Sequence, residues 1–374
     1  MSTGDETLGF MHRALALAAQ ALYITSPNPR VGCLLVKDGQ VIGAGHTQQA
    51  GGAHAEIMAL RDAQTRGQTT QGASAYLTLE PCAHQGRTGP CWSALAEAGI
   101  KHVVASLEDP NPLVAGQGFA RLRAAGVQVS VGPGALESRQ LNIGFFSRML
   151  RKRPWVRMKI AATLDGRTAL PNGQSQWLTS PQARADGHAW RARACATLTG
   201  IGTVLADNPR LDVRDVATPR QPRFVLVDSR FEVPQSAACF IAGRGHLIYT
   251  KTQNTTKELA LARQNVQVIC QALHGDPSLH KVDLAAMLHD LAMREVNELH
   301  LEAGHKLNAS FLRENLVDEL LLYYAPRLMG QGAGMAELGP LSELANMPTL
   351  HLQNCQQVGP DLRVTAIFDG HDQF

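Results

Sequence analysis

His54, Glu56, Cys82 and Cys91 are the residues of this chain whose types and spacing could do chemistry together. One imidazole and two thiols make the ligand set of a catalytic zinc, which takes three protein ligands and keeps its fourth position for water. His54 precedes the helical stretch "AEIMALRDAQT", and Cys82 and Cys91 lead into a second one, "CWSALAEAG". Helix starts favour thiolates, because the positive end of the helix dipole lies there. Glu56, two residues beyond His54, is spaced to reach the water rather than the ion, so it reads as a proton carrier. Two alternatives stand beside this reading. The cysteines could be core fillers that fall near a chance "HAE", or the zinc could be structural, with His84 closing its shell.

The order H-x-E, then P-C, is that of zinc-dependent nucleobase deaminases, whose second cysteine normally follows after two residues. Here "PCAHQGRTGPC" places eight residues between Cys82 and Cys91. The insert carries His84 and Arg87, with glycines at 86 and 89 that let backbone amides approach an anion. An imidazole and a guanidinium suit a phosphate. The spacing therefore points to a phosphorylated small molecule beside the metal, against a plain solvated loop that would leave the spacing unexplained.

The second half contains no G-x-G-x-x-G after a strand, so it lacks the usual dinucleotide fingerprint. "LEAGHKLNASF" reads as strand, Gly304, helix, a turn whose helix amides could hold a phosphate. Such turns also occur with no ligand at all.

In order and spacing, "SPNPRVGCLLV", "GHTQQAGGAHAEIMAL", "YLTLEPCAHQGRTGPC" and "DPNPLVAGQG" resemble the deaminase half of the bifunctional riboflavin-biosynthesis deaminase/reductase family. "KIAATLDGRTA", "SQWLTSPQAR", "GIGTVLADNPRLDVR", "VDSR" and "EAGHKLNASFL" resemble its reductase half. The resemblance runs from residue 8 to about residue 365. It implies an α/β chain with an N-terminal cytidine-deaminase-like three-layer domain and a C-terminal dihydrofolate-reductase-like domain that uses NADPH. It further implies that Asn28, His46, His84 and Arg87 contact a ribosylaminopyrimidine phosphate, with Asp109 and Asn111 lining the same pocket. NADPH would meet Ala161, Trp177, Thr203, Asp207, Ser229 and the run Gly304, His305, Lys306, Leu307, Asn308, Ala309 and Ser310. Substrate would meet Ser175, Arg191, Leu211, Arg214 and Glu302, with Arg191 and Arg214 chemically suited to clamp a phosphate. Lys159 and Asp165 are candidates for polarising or protonating the sugar, and both also read as charges at a strand end. The chain departs from the family at Gly89-Pro90, where two prolines are usual, and at Ala303-Gly304, where two glycines are usual. The implied function is two consecutive steps of riboflavin synthesis: loss of a ring amine as ammonia, then reduction of ribosyl to ribityl.

Elements able to position these residues follow from local pattern. Leu8, Met11, Leu15, Ala18 and Leu22 recur at helical spacing, which predicts an amphipathic first helix rather than a signal-peptide core. "VGCLLV", the Asp38-Gly39 turn and "VIGAG" predict a hairpin. Strand and helix then alternate to a last helix expected from Ala135 to about Leu150, implying a mostly parallel sheet with helices on both faces. "RKRPW" at 151–155 is the expected boundary, giving a zinc-dependent pyrimidine deaminase domain at 1–150 and an NADPH-dependent reductase domain at 151–374. Beyond it, Ser180 with Pro181 predicts a helix start.

Composition narrows the class. A length of 374 residues suits two domains, and 44% hydrophobic residues suit proper cores. A net charge of +3 and 5% aromatics lack the basic groove and stacking platform of a nucleic-acid-editing deaminase. No apolar run approaches the ~20 residues of a membrane span. Seven dispersed cysteines predict a reducing, cytoplasmic setting. The expected partners are a small phosphorylated pyrimidine and further copies of the chain in a homo-oligomer, with no nucleic acid and no membrane. A non-catalytic zinc module, in which Glu56 would be a bystander, is the remaining rival.

Overall fold

The computed structural model of the chain describes residues 3–83, 89–112, 114–271 and 280–374, so His84 and Arg87 lie outside the described residues. The chain divides into two units, Met1–Arg151 and Lys152–Phe374.

The first unit is a five-stranded sheet in the order β2-β1-β3-β4-β5, formed by Gly32–Lys37 (β1), Gln40–His46 (β2), Ser74–Leu77 (β3), His102–Ala105 (β4) and Gln128–Val131 (β5). β1 and β2 form the expected hairpin, and Asp38 and Gly39 both take the positive φ that a tight hairpin turn requires. β1 pairs antiparallel with β3, whereas β3, β4 and β5 run parallel, so this sheet is mixed rather than mostly parallel.

Helices cover both faces. Thr3–Gln20 (α1) sets Met11 and Ala14 against Leu34, Val36 and Tyr76, while Leu8 stays exposed. Ala55–Thr65 (α2) lies on the opposite face, directly on β2. Its approach depends on Gly43 and Gly45: a Cβ at Gly45 would stand 2.6 Å from the carbonyl oxygen of Ala55 and 2.6 Å from the amide nitrogen of Ala59. Cys91–Glu97 (α3) and Gln117–Ala124 (α4) follow. The single helix expected after Ala135 is two, Ala135–Leu141 (α5) and Ile143–Arg151 (α6). The break falls at Asn142, whose amide accepts from Arg30 N at 2.7 Å and donates to Arg30 O at 2.9 Å. Backbone recognition by a side chain thus wins over helix continuity there.

The second unit is a nine-stranded sheet in the order β11-β10-β9-β8-β12-β6-β13-β16-β15. Its strands are Trp155–Thr163 (β6), Ala196–Gly200 (β8), Arg223–Val227 (β9), His246–Thr250 (β10), Val266–Cys270 (β11), Glu298–Leu301 (β12), Glu319–Ala325 (β13), Leu350–Val358 (β15) and Asp361–Phe368 (β16); Arg167–Ala169 (β7) and Ala333–Gly334 (β14) pair separately. Pairing is parallel from β11 to β13 and antiparallel at β16 and β15. The helices are Pro181–Arg193 (α7), Ile201–Asp207 (α8), Thr255–Ala262 (α9), Leu284–Met293 (α10) and His305–Arg313 (α11). Ser180 caps α7 as its sequence suggests, its hydroxyl accepting from Ala183 N at 3.2 Å.

This order creates a topological switch. From β8 the chain passes through α8 to β9, away from β12; from β12 it passes through α11, over β6, to β13. The two crossovers leave neighbouring strands in opposite directions, which opens a crevice at the strands' carboxyl ends, where open α/β sheets bind ligands. No helix among the described residues is long and apolar enough to cross a membrane.

Candidate active sites

In the first unit α2 begins immediately after His54, and α3 begins at Cys91. His54 Nδ1 lies 3.6 Å from Cys82 Sγ and 3.3 Å from Cys91 Sγ, and the three ligand atoms all lie within 4.8 Å of one another. Ligands held 2.0–2.3 Å from a tetrahedral ion stand about 3.5 Å apart, so the cluster has the dimensions of a zinc shell with one position open. Its chemistry fits as well. The Cys82 thiol is pushed down, first by a hydrogen bond from the Cys91 thiol and then by one from His54, which favours the thiolate that binds a metal. Among the described residues, this is the one cluster of three such side chains with metal-binding geometry.

Glu56 is buried beside these ligands. Burial pushes its carboxyl up to about 7, and the charge of Cys82 adds to the rise. A carboxyl poised there can both take and return a proton. Asp109 is buried too, and burial lifts it to about 7 against the opposing hydrogen bond from the Asn111 amide. His46 ends β2 opposite Gly32, its ring 3.1 Å from Thr47 O, and Asn28 closes the turn whose amide bonds Thr25 O.

Two supports escaped the sequence reading. Glu80, two residues before Cys82, is buried and accepts from three backbone amides: Asp109 N at 3.1 Å, Gly116 N at 2.9 Å and Phe119 N at 3.1 Å. It thereby fixes the "DPNP" loop and the start of α4 against the segment carrying Cys82. Gly118 permits that closeness, since a Cβ there would stand 2.1 Å from Pro81 O. Arg121 donates to Ala83 O at 3.0 Å, holding the chain where the insert begins. The "LEPC" and "GQGF" stretches carry Glu80 and Gly118, but nothing local says that they meet.

In the second unit the crevice is a cavity of about 1510 Å³. It is lined by all the residues that the resemblance assigned to this half except Ala309, whose side chain is buried. Gly200 and Gly304 precede α8 and α11, neither helix has a side-chain cap, and a Cβ at Gly304 would meet only Thr203 Oγ1 at 3.9 Å. The amides of the first turn of α11 are thus available to a diphosphate, which is the fit that a dinucleotide requires. Ala303 lines the cavity beside them and does not close it.

Glu302 is the electrostatic centre of this cleft. Arg191 holds it through Nε at 2.8 Å and a second guanidinium nitrogen at 2.7 Å, and Lys159 Nζ lies 3.6 Å away. Burial would push the carboxyl up, but Arg191 and Lys159 hold it well below the ordinary carboxylate range. Arg191 also donates to Asp212 O at 2.5 Å, so its guanidinium is occupied as a partner of Glu302 rather than standing free as a phosphate clamp. Arg214 pairs with Asp212 and remains half exposed in the cleft. Lys159 lines the cavity, whereas Asp165 does not. Asp165 anchors a loop, accepting from Thr163 Oγ1 at 2.5 Å and from Gly330 N at 2.7 Å, and the Thr163 hydroxyl leads in pushing it down to about 2.

Residues 5–107 match the family model described as cytidine and deoxycytidylate deaminase zinc-binding region, and residues 154–364 match that of the RibD C-terminal domain. The chain is 42% identical to the riboflavin biosynthesis protein RibD of Escherichia coli K12, over 94% of its own length and 97% of that protein's. With RibD of Aquifex aeolicus it shares 38% identity over 94% and 96%. Acinetobacter baumannii RibD superposes with a TM-score of 0.89 at 38% identity, covering 97% of this chain and 99% of that one. The diaminohydroxyphosphoribosylaminopyrimidine deaminase/5-amino-6-(5-phosphoribosylamino)uracil reductase of Thermotoga maritima gives 0.86 at 32% identity, with 97% and 99% covered. The chain therefore belongs to the RibD family, and is a bifunctional enzyme of riboflavin biosynthesis that joins a zinc-binding deaminase domain to a reductase domain.

Proposed function

We propose that residues 1–151 deaminate 2,5-diamino-6-(5-phosphoribosylamino)pyrimidin-4-one and that residues 152–374 then reduce the ribosyl group of the product to ribityl with NADPH. The observation that carries the first step is the convergence of His54, Cys82 and Cys91 beside a buried Glu56. The relation to the Thermotoga maritima enzyme supports the substrate.

In the deaminase site His54, Cys82 and Cys91 hold the zinc. When bound, it supplies a Lewis acid that makes water nucleophilic near neutral pH. Glu56 carries one proton of the attacking water to the ring nitrogen and the second to the departing amine, so that amine and water are exchanged for carbonyl and ammonia. Asn28, His46, His84 and Arg87 bind the phosphoribosyl substrate, and Asp109 and Asn111 line its pocket. In the reductase cleft the coenzyme supplies a hydride. The amides after Gly304 bind its diphosphate, Arg214 binds the phosphate of the substrate, Glu302 accepts from a sugar hydroxyl, and Lys159 polarises or protonates the sugar.

A cytoplasmic location is supported by seven cysteines of which none forms a disulfide. Assembly into a homo-oligomer is supported by β15, an outermost strand with an unpartnered edge and nearly every residue exposed.

The test uses the purified protein with the pyrimidine substrate. Ammonia should be released without NADPH, and NADPH should be consumed only after deamination. Glu56→Gln should stop ammonia release while a supplied deaminated intermediate is still reduced. Loss of both activities in a folded Glu56→Gln protein would defeat the two-site assignment.

A further inference from the structure

His188 lines the reductase cleft and has no role in the steps above. It stands on α7 three residues before Arg191, so the two side chains share one face of the helix. Both reach the turn at 210–214 that carries Arg214 into the cleft.

That turn is not self-supporting. Leu211 takes a φ of 50°, a left-handed conformation that a leucine keeps only where its surroundings impose it. Side chains from outside the turn hold its backbone. Gln221 accepts from Val213 N at 2.8 Å and donates to Val213 O at 2.9 Å, and Arg191 donates to Asp212 O at 2.5 Å. The remaining contact is that of His188, whose Nδ1 accepts from Arg214 N at 3.2 Å.

The same Nδ1 lies 3.3 Å from a guanidinium nitrogen of Arg191, which can only donate. A ring nitrogen that receives two N–H donors carries no proton, so the ring proton sits on Nε2, which faces Asp215 Oδ2 at 3.5 Å. Burial first, and then the charge of Arg191, hold this imidazole below its ordinary value; Arg214 adds to the lowering, while Asp215 and Glu302 oppose it. Nδ1 is therefore an acceptor at neutral pH. The imidazole stands between the amide of Arg214 and the guanidinium that grips Glu302, a position that carbon packing alone does not require.

We propose that His188 is a positioning residue of the reductase step, whose Nδ1 fixes the Arg214 amide beside Arg191 so that the Arg214 guanidinium meets the phosphate of the substrate. The inference rests on the reading above that Arg214 binds that phosphate.

The test is steady-state reduction of the supplied deaminated intermediate by NADPH with the full chain. His188→Ala should raise the KM for the intermediate by about threefold to tenfold, the loss of one hydrogen bond. Its kcat and its KM for NADPH should change little, whereas a general loosening of the cleft would move all three. His188→Gln, whose amide oxygen can accept in place of Nδ1, should restore the native KM. His188→Met keeps the bulk without the acceptor and should behave as His188→Ala, which serves where the alanine variant does not fold. Added to Arg214→Ala, His188→Ala should raise KM no further, because the two residues act as one. Native KM in the folded alanine and methionine variants, a glutamine variant no better than alanine, or an additive penalty in the double variant would overturn the positioning role. Native KM for the intermediate in Arg214→Ala would overturn the phosphate reading itself, and the inference with it.

Discussion

Glu302 shows how a single carboxylate in this protein ties stability to chemistry. Arg191 grips it with two nitrogens, Lys159 lies 3.6 Å off, and the buried imidazole of His300 approaches to 3.4 Å. Its folded pKa is depressed, while an unfolded glutamate titrates at about 4.3. The stability it contributes is therefore complete above about pH 4.3 and is lost as pH falls through its lower folded value. Thermal melts of the native chain from pH 7 to pH 3 should show the reductase unit weakening at the acid end. Glu302→Gln should flatten that dependence and cost about 3 kcal/mol at pH 7, because Arg191 is left as a buried, half-satisfied charge. An unaltered acid profile in the variant would show that the ion pair contributes nothing to folding.

At the scale of elements, the deaminase site is held by close backbone approach rather than by large side chains. His54 and Glu56 enter with α2, and α2 rests on β2 through Gly43 and Gly45. Gly45→Ala would set a methyl 2.6 Å from backbone atoms of Ala55 and Ala59, where only movement of the helix relieves the clash. The substitution should cost about 1–3 kcal/mol, or about 2–12 °C in the melting temperature of a unit this size. It should also weaken zinc retention, since the helix that moves carries a ligand. A variant with native stability and full zinc content would show that α2 is not fixed by this contact. Glu80 works at the same scale, tying three backbone amides to the segment after β3 that delivers Cys82.

For the molecule as a whole, each unit has its own sheet and its own site. Residues 1–151 expressed alone should fold and retain about one zinc per chain by metal analysis. Cys82→Ser in that fragment should lose the metal. Chelation should lower the melting temperature of residues 1–151 and leave that of residues 152–374 unchanged, because ligand binding stabilises only the unit that holds the ligand. A zinc-free, unfolded fragment, or a chelation effect on the second unit, would contradict independent sites.

The metal chemistry was legible in the sequence because it depends on residue type and on spacings of a few residues. "HAE" puts a ligand and a carboxyl at one helix start, and "PC" puts a thiol before another, whatever surrounds them. The hairpin at Asp38-Gly39 and the cap at Ser180 were legible for the same reason: each is a local conformational preference. β8, "ATLTG", carries little apolar signal because threonine, alanine and glycine dominate it, and β15, "LHLQNCQQV", has no period to detect because it is an outer strand with exposed faces. What only tertiary structure decided is which way side chains face and which distant segments meet. Cys82 and Cys91 reach His54 across 28 and 37 residues of chain through the packing of α2 against α3. Lys159 faces the cleft while Asp165, six residues on, turns to a loop; Arg191 is held by Glu302; and Asp228 turns inward while Ser229 turns out. Those orientations depend on strand pairing and on partners far away in sequence, and no local pattern encodes them.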